Sequence, residues 1–326
     1  MNGSDKPVVV ALSENLRGPD ADAVQAVSPR VKIAWVSPAG EPRDDVSQAE
    51  VLFRGGGMMP PGLRRLLPLM PHLRWVHTMG AGVDGDLTPQ IVGSDVLLSR
   101  TRGLHCVPVS EWVLMQILAV SKRLPELVRA QERHEWKKVD VPVSLVGRTI
   151  GIVGYGEIGG CVNARARGFG FRVVATRRHP RPAPELDALY PPDQLDRLLA
   201  ESDYVVLLTP LTPETRGLIG ATQLRQMKST AWLINVARGE VVQEEALIEA
   251  LREGWIAGAA LDVFAREPLP PDSPLWSLPN VLITPHSGGV SFPRYHQEIM
   301  AQFVDNLGRY VRGEPLKNLV DKQAGY

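Results

Sequence analysis

The segment Thr149-Ile150-Gly151-Ile152-Val153-Gly154-Tyr155-Gly156-Glu157-Ile158-Gly159 constrains this chain more than any other. It places three spaced glycines between an apolar run and a helical pattern. Thr149–Val153 reads as a strand, and Ile158, Cys161, Val162 and Phe169 fall on one face of the helix expected to follow. Each glycine has a task in such a unit. Gly154 permits the tight turn, Gly156 lets the backbone approach a pyrophosphate, and Gly159 lets the helix pack close to the strand. The helix start at Glu157 and Ile158, the positive end of its dipole, then faces the phosphates. Glycines alone are weak evidence, but strand, turn, helix and next strand stand here in the order of a dinucleotide fingerprint.

A fingerprint of this kind needs a parallel sheet, and the chain supplies the strands for it. Val8–Leu12, Val31–Val36, Val51–Phe53, Trp75–His77 and Val96–Leu98 form a first series of apolar runs. A second runs through Thr149–Val153, Val173–Ala175, Tyr204–Leu208, Trp232–Val236, Gly258–Leu261 and Val281–Thr284. Amphipathic stretches alternate with them, which is the α/β pattern. Ser110 to Leu127 predicts a helix with Ser110 as N-cap and a kink or end near Pro125. After Pro293 an amphipathic helix is expected to about Val311, with Ile299, Phe303, Leu307 and Val311 on one face. The two series read as two Rossmann-like domains with parallel sheets, and 326 residues suffice for two cores.

Composition narrows the partners. Lys and Arg total 36, as do Asp and Glu, so no global field favours nucleic acid or an anionic membrane. No apolar run approaches a membrane span, and the N-terminus lacks a signal-peptide pattern. Cys106 and Cys161 do not make a disulfide framework, no metal ligands are assigned, and the reading is cytoplasmic.

The tip of the strand after the fingerprint carries the cofactor choice. A site that prefers NAD places Asp or Glu there for the ribose hydroxyl. This strand instead runs into Thr176-Arg177-Arg178-His179. Two guanidinium groups suit a 2′-phosphate, so NADP(H) is the preferred cofactor and NAD(H) the alternative, the turn then being a solvated basic one that tolerates both. Spacing does not decide which arginine makes the contact.

Three more strands end in polar residues: Asn235-Val236-Ala237-Arg238, Asp262-Val263-Phe264-Ala265-Arg266-Glu267, and Thr284-Pro285-His286-Ser287-Gly288-Gly289. Ligands bind beyond the carboxyl ends of parallel strands, so these residues are expected to converge. Their types suit reduction of a keto acid. Hydride addition to a carbonyl leaves an alkoxide that needs a proton, and histidine titrates in the useful range. A carboxylate beside it favours the protonated ring, while an arginine grips a carboxylate and polarises the carbonyl. Singly, each has a bland alternative: a structural histidine, a salt-bridge arginine, ordinary loop polarity.

Over nearly its whole length the chain resembles the D-isomer-specific 2-hydroxyacid dehydrogenase family. The resemblance is carried by Leu145–Gly159, Thr209–Leu218, Met227–Gly239, Ala260–Pro270 and Leu278–Gly289. It implies that His286 is the acid/base, Glu267 its partner, and Arg238 the substrate-binding arginine. It places the nicotinamide-contacting aspartate on Asp262, and further cofactor contacts on Thr209, Pro210, Thr215, Val236, Ala237, His286 and Gly288. The Arg177–Arg178 tip resembles the family's NADPH-using glyoxylate and hydroxypyruvate reductases. A homodimer is implied, as is a discontinuous, flavodoxin-like substrate domain of residues 1–104 and 290–326, with the dinucleotide domain at 105–289. The alternatives are an NAD-linked D-2-hydroxyacid dehydrogenase of larger side-chain specificity and a non-catalytic dinucleotide-sensing co-regulator.

On the substrate side, Met79-Gly80-Ala81-Gly82-Val83-Asp84 follows the strand Trp75–His77. Backbone N–H groups in such a turn form a small anion nest, and by resemblance Ala81 and Gly82 bind the substrate carboxylate. A ligand-free structural turn is the alternative. Arg54 reads as a surface arginine or a contact to a second anionic group. Trp136 reads as a buried aromatic anchor or a residue approaching a partner's site.

Overall fold

The structure is a computed structural model that describes residues 6–139, 144–289 and 294–326. It divides into two compact units, Met1–Leu104 with Phe292–Tyr326, and His105–Ser291. The expected return to the first unit near residue 290 lies outside the described residues, as does Pro293.

The first unit is built on β1 (Val8–Ser13), β2 (Val31–Val36), β3 (Ala49–Arg54), β4 (Trp75–Thr78) and β5 (Leu97–Arg100), in the order β2-β1-β3-β4-β5. Every neighbouring pair is parallel. This is the flavodoxin-like strand order. Its central strands β1, β3 and β4 are almost wholly buried because both faces are covered. One face buries Leu52, Leu63, Leu66 and Val76; the other buries Phe53, Trp75, Phe303 and Leu307. The last two come from the helix Tyr295–Arg312, whose buried stripe includes Ile299, Phe303 and Leu307, with Val311 partly covered. Phe303 stacks on Phe53 at 4.5 Å between ring centroids. Truncating such a ring to Ala costs about 3–5 kcal/mol.

The second unit contains β6 (Thr149–Val153), β7 (Arg172–Thr176), β8 (Ala188–Tyr190), β9 (Tyr204–Leu207), β10 (Trp232–Asn235), β11 (Gly258–Leu261) and β12 (Val281–Ile283). All pair in parallel, in the order β12-β11-β10-β9-β6-β7-β8. Strand order reverses between β6 and β9, the switch point where such sheets bind ligands. The short strand β8 follows a proline-rich stretch and shows too few residues for its period to be read from sequence.

Two helix readings change. The expected helix from Ser110 begins at Cys106 and ends at Ser121, and a second runs over Leu124–Glu132. Ser110 is therefore not the N-cap; its buried Oγ donates back to Val107 O at 2.8 Å. The break falls at Arg123, which adopts φ 54°, so that Pro125 sits in the first turn of the next helix, where its missing N–H is harmless. The fingerprint helix spans Glu157–Arg167 and buries Val162, but Phe169 lies past its end and is 40% exposed. No helix among the described residues is long and apolar enough to cross a membrane.

Candidate active site

Register gathers the polar strand ends of the second unit. Val153 pairs with Thr176 and Leu207, Asn235 with Leu207 and Leu261, and Leu261 with Ile283. The residues that follow each strand therefore leave the sheet along one edge. Gly154–Ile158, Arg177–Arg178, Thr209–Thr215, Val236–Arg238, Asp262–Glu267 and Thr284–Gly288 all lie there.

At the switch point Gly154 has φ +99°, and a Cβ there would stand 2.7 Å from Thr209 N. Only glycine meets both demands. A Cβ on Gly159 would press on Tyr155 and Ile152, at 3.0 and 3.4 Å, so this glycine sets the close approach of helix to strand. Gly156 differs: a Cβ there would meet nothing within 4 Å and would fill the cradle ahead of the helix start. Bare backbone and the leading N–H groups of the helix Glu157–Arg167 fit a pyrophosphate. Beside it, Thr215 Oγ1 donates to Pro210 O at 2.6 Å and accepts from Thr212 N at 2.8 Å, closing the loop that begins at Thr209.

At the tip of β7 the two arginines part. Arg177 is half-buried, and its backbone N–H donates to Tyr190 O at 3.2 Å. Arg178 is exposed and its Nη2 lies 3.9 Å from Glu214 Oε1.

Arg238 is set by a residue that sequence reasoning left without a role. Buried Asn235 donates from Nδ2 to Arg238 O at 2.9 Å and accepts from Ala237 N at 3.0 Å. Arg238 Nη1 donates to Ala237 O at 2.7 Å. At Gly239 a Cβ would fall 1.8 Å from the carbonyl carbon of Phe264. The arginine's loop and the glutamate's loop thus touch backbone to backbone.

Glu267 Oε2 lies 2.7 Å from His286 Nδ1, and Glu267 Oε1 accepts from Phe264 N at 3.0 Å. The bond to Glu267 raises the His286 pKa above the usual histidine value, against partial burial and the Arg238 charge. Burial pushes the Glu267 carboxyl up, but the bonds from His286 and Phe264 N–H outweigh it and hold its pKa below the usual value. Arg238 acts on both titrations, so all three groups share one electrostatic environment.

Asp262 is buried and turned toward the histidine's own loop. Its Oδ1 accepts from Thr284 Oγ1 at 2.6 Å and Ser287 N at 3.0 Å, and its Oδ2 from Gly288 N at 2.9 Å. A Cβ on Gly288 would stand 3.0 Å from that same Oδ2. The sequence offered no signal for this arrangement beyond the position of Asp262 at a strand end.

Ala81 and Gly82 belong to the first unit, in the turn after β4. Arg100 Nη1 donates to Ala81 O. Arg54 is not a surface arginine: it is 9% exposed and pairs with the fully buried Asp86. Its Nη2 donates to Asp86 Oδ2 at 2.8 Å and to Thr78 Oγ1, and its Nη1 to Met58 O at 3.2 Å. The ion pair clamps the loops that follow β3 and β4. Trp136 is not a buried anchor, since it is 95% exposed.

Comparison with known proteins decides the family. Residues 114–288 match the NAD-binding domain of the D-isomer specific 2-hydroxyacid dehydrogenases. The chain belongs to this family. It is 40% identical over 262 residues to a glyoxylate reductase of Korarchaeum cryptofilum, covering 78% of this chain and 77% of that one. A family member from Xanthobacter autotrophicus, solved with NADPH and MES, superposes with a TM-score of 0.82 at 34% identity, covering 98% of this chain and 100% of the other. An NADPH-dependent glyoxylate/hydroxypyruvate reductase of Sinorhizobium meliloti, solved with NADP and sulfate, gives the same TM-score at 31% identity, covering 98% and 100%. This 2-hydroxyacid dehydrogenase is thus an oxidoreductase with two parallel-sheet, Rossmann-like units.

Proposed function

We propose that this dehydrogenase reduces small 2-keto acids of the glyoxylate and hydroxypyruvate type to D-2-hydroxy acids, with NADPH as cofactor. The observation that carries the reading is the 2.7 Å His286–Glu267 bond beside Arg238, at the sheet edge that bears the dinucleotide turn. The names of the similar reductases support the substrate class.

When bound, the reduced nicotinamide supplies a hydride. The chain's own residues do the rest. Arg238 holds the substrate carboxylate and polarises the carbonyl by charge-assisted hydrogen bonds. The Ala81 and Gly82 amides are further carboxylate donors in this proposal. His286 holds its Nδ1 proton on Glu267, so Nε2–H is the proton delivered to the nascent alkoxide. Glu267 keeps that ring charged until the transfer. Asp262 and Gly288 line the nicotinamide end, and Gly154, Gly156, Glu157, Ile158, Gly159, Thr209, Pro210, Thr215, Val236 and Ala237 hold the rest of the cofactor. Arg177 takes the 2′-phosphate, because Arg178 already faces Glu214.

Cofactor oxidation over a panel of 2-keto acids, with NADH and NADPH side by side, tests the reading. Turnover of glyoxylate or hydroxypyruvate with NADPH is expected. Dinucleotide binding with no turnover on any acid would overturn it. A homodimer is also proposed, and static light scattering decides it.

A further inference from the structure

We infer that the Thr284 hydroxyl positions His286 by way of Asp262, and that Trp112 and Gln116 fix the direction in which that hydroxyl donates. The inference rests on the reading of His286 as the proton donor.

The helix Cys106–Ser121 carries Trp112 and Gln116 four residues apart, on one face. Both reach a single atom. Trp112 Nε1 donates to Thr284 Oγ1 at 3.2 Å, and Gln116 Nε2 donates to it at 3.3 Å. A hydroxyl has one proton and two acceptor lone pairs. With both lone pairs taken by donors, the proton is directed to its remaining neighbour, Asp262 Oδ1 at 2.6 Å. Without those two donors the hydroxyl is free to rotate.

Asp262 converts this bond into a loop geometry. Its carboxylate receives Thr284 from one side of His286, and Ser287 and Gly288 from the other. Its carbonyl accepts His286 N at 2.7 Å. The histidine between them holds φ 51°, a left-handed conformation that non-glycine residues rarely adopt and that surrounding bonds must maintain. The Asp262 bonds supply them, and they aim the imidazole at Glu267. The charged groups facing the ring are Glu267, Arg238 and Asp262. Thr284 is therefore a positioning residue, two residues before the proposed acid and with its hydroxyl directed to Asp262.

The test is Thr284→Val, which removes the hydroxyl at constant shape, beside Thr284→Ser, which restores it. Thr284→Val is expected to lower kcat for keto-acid reduction about 10- to 100-fold. KM and NADPH affinity should change little. The high-pH midpoint of kcat should move to lower pH, because a loosened Glu267 bond lets the imidazole lose its proton sooner. Thr284→Ser should recover most of both. The same titration, followed by NMR on the His286 ring in the whole protein and assigned by His286→Asn, needs no turnover. It therefore still decides the inference if the parent protein reduces no keto acid. Should Thr284→Val not fold, Trp112→Phe removes one orienting donor and is expected to shift the His286 midpoint the same way by less. An unchanged His286 midpoint in the variant that folds, or a serine variant as impaired as the valine one, would overturn the inference.

Discussion

Glu267 Oε2 stands 2.7 Å from His286 Nδ1, and this bond leaves Nε2 as the ring atom free to deliver a proton. The same bond raises the histidine's pKa. In the proposed reaction reduction uses the protonated ring, so activity is expected below that raised pKa and is expected to be lost as pH rises through it. Glu267→Gln removes the carboxylate, and the midpoint of the kcat profile for reduction is expected to fall toward the ordinary histidine range. A midpoint that stays in place would remove Glu267 from this role.

His286→Asn takes away the proposed proton donor but no part of the fingerprint turn. Turnover is expected to fall by about 10²- to 10⁴-fold. Affinity for NADPH, read by fluorescence titration, should stay close to the parent. Full activity in this variant would end the assignment of His286.

Arg238→Lys keeps the charge and loses the planar fork. Its effect should appear in kcat/KM for small keto acids, with a reduction of about 10- to 100-fold, corresponding to one or two charge-assisted hydrogen bonds. Steady-state kinetics with glyoxylate would show parental values if Arg238 did not hold the carboxylate.

Arg177→Ala is expected to weaken NADPH binding about 10- to 100-fold and to leave NADH binding nearly unchanged. Arg178→Ala should weaken NADPH binding less, since Arg178 already faces Glu214 at 3.9 Å. Calorimetric affinities for both cofactors separate the two arginines; equal losses for NADH and NADPH would contradict the 2′-phosphate role.

His77 gives the first unit a pH dependence unrelated to chemistry. It is fully buried, and burial lowers its pKa to about 3. Below the unfolded value near 6.5 the unfolded chain binds a proton that the folded chain refuses, so stability falls as pH drops from about 6.5 toward about 3. The slope from this group is at most ~1.4 kcal/mol per pH unit. Denaturant titrations of the parent and His77→Gln at a series of pH values are expected to show a shallower acid slope in the variant.

Much of this arrangement was legible from residues alone, for identifiable reasons. Parallel strands are mostly apolar runs, so Val31–Val36 at the sheet edge and the buried Thr149–Val153 and Gly258–Leu261 could be bounded to the residue. Strand ends were visible because polar residues follow apolar ones, and register then brought Arg238, Glu267 and His286 to one edge. What escaped was set by tertiary contact. Arg54 was misread because its partner Asp86 lies 32 residues on, and a lone arginine shows no sign of burial. Ser110 has the chemistry of an N-cap, yet the helix had already begun at Cys106. Thr284, Trp112 and Gln116 meet across 168 to 172 residues of chain, a separation over which no periodicity speaks.

Gly239 has a consequence for anyone who alters this protein's substrate range. Because a single added carbon would collide with the Phe264–Ala265 peptide, the arginine's turn can neither carry a side chain at position 239 nor move closer to the glutamate's turn. The two pack against each other with no room for a side chain between them. Useful variation for new acids therefore belongs away from that seam, because any library member with a side chain at position 239 is expected to push the two turns apart.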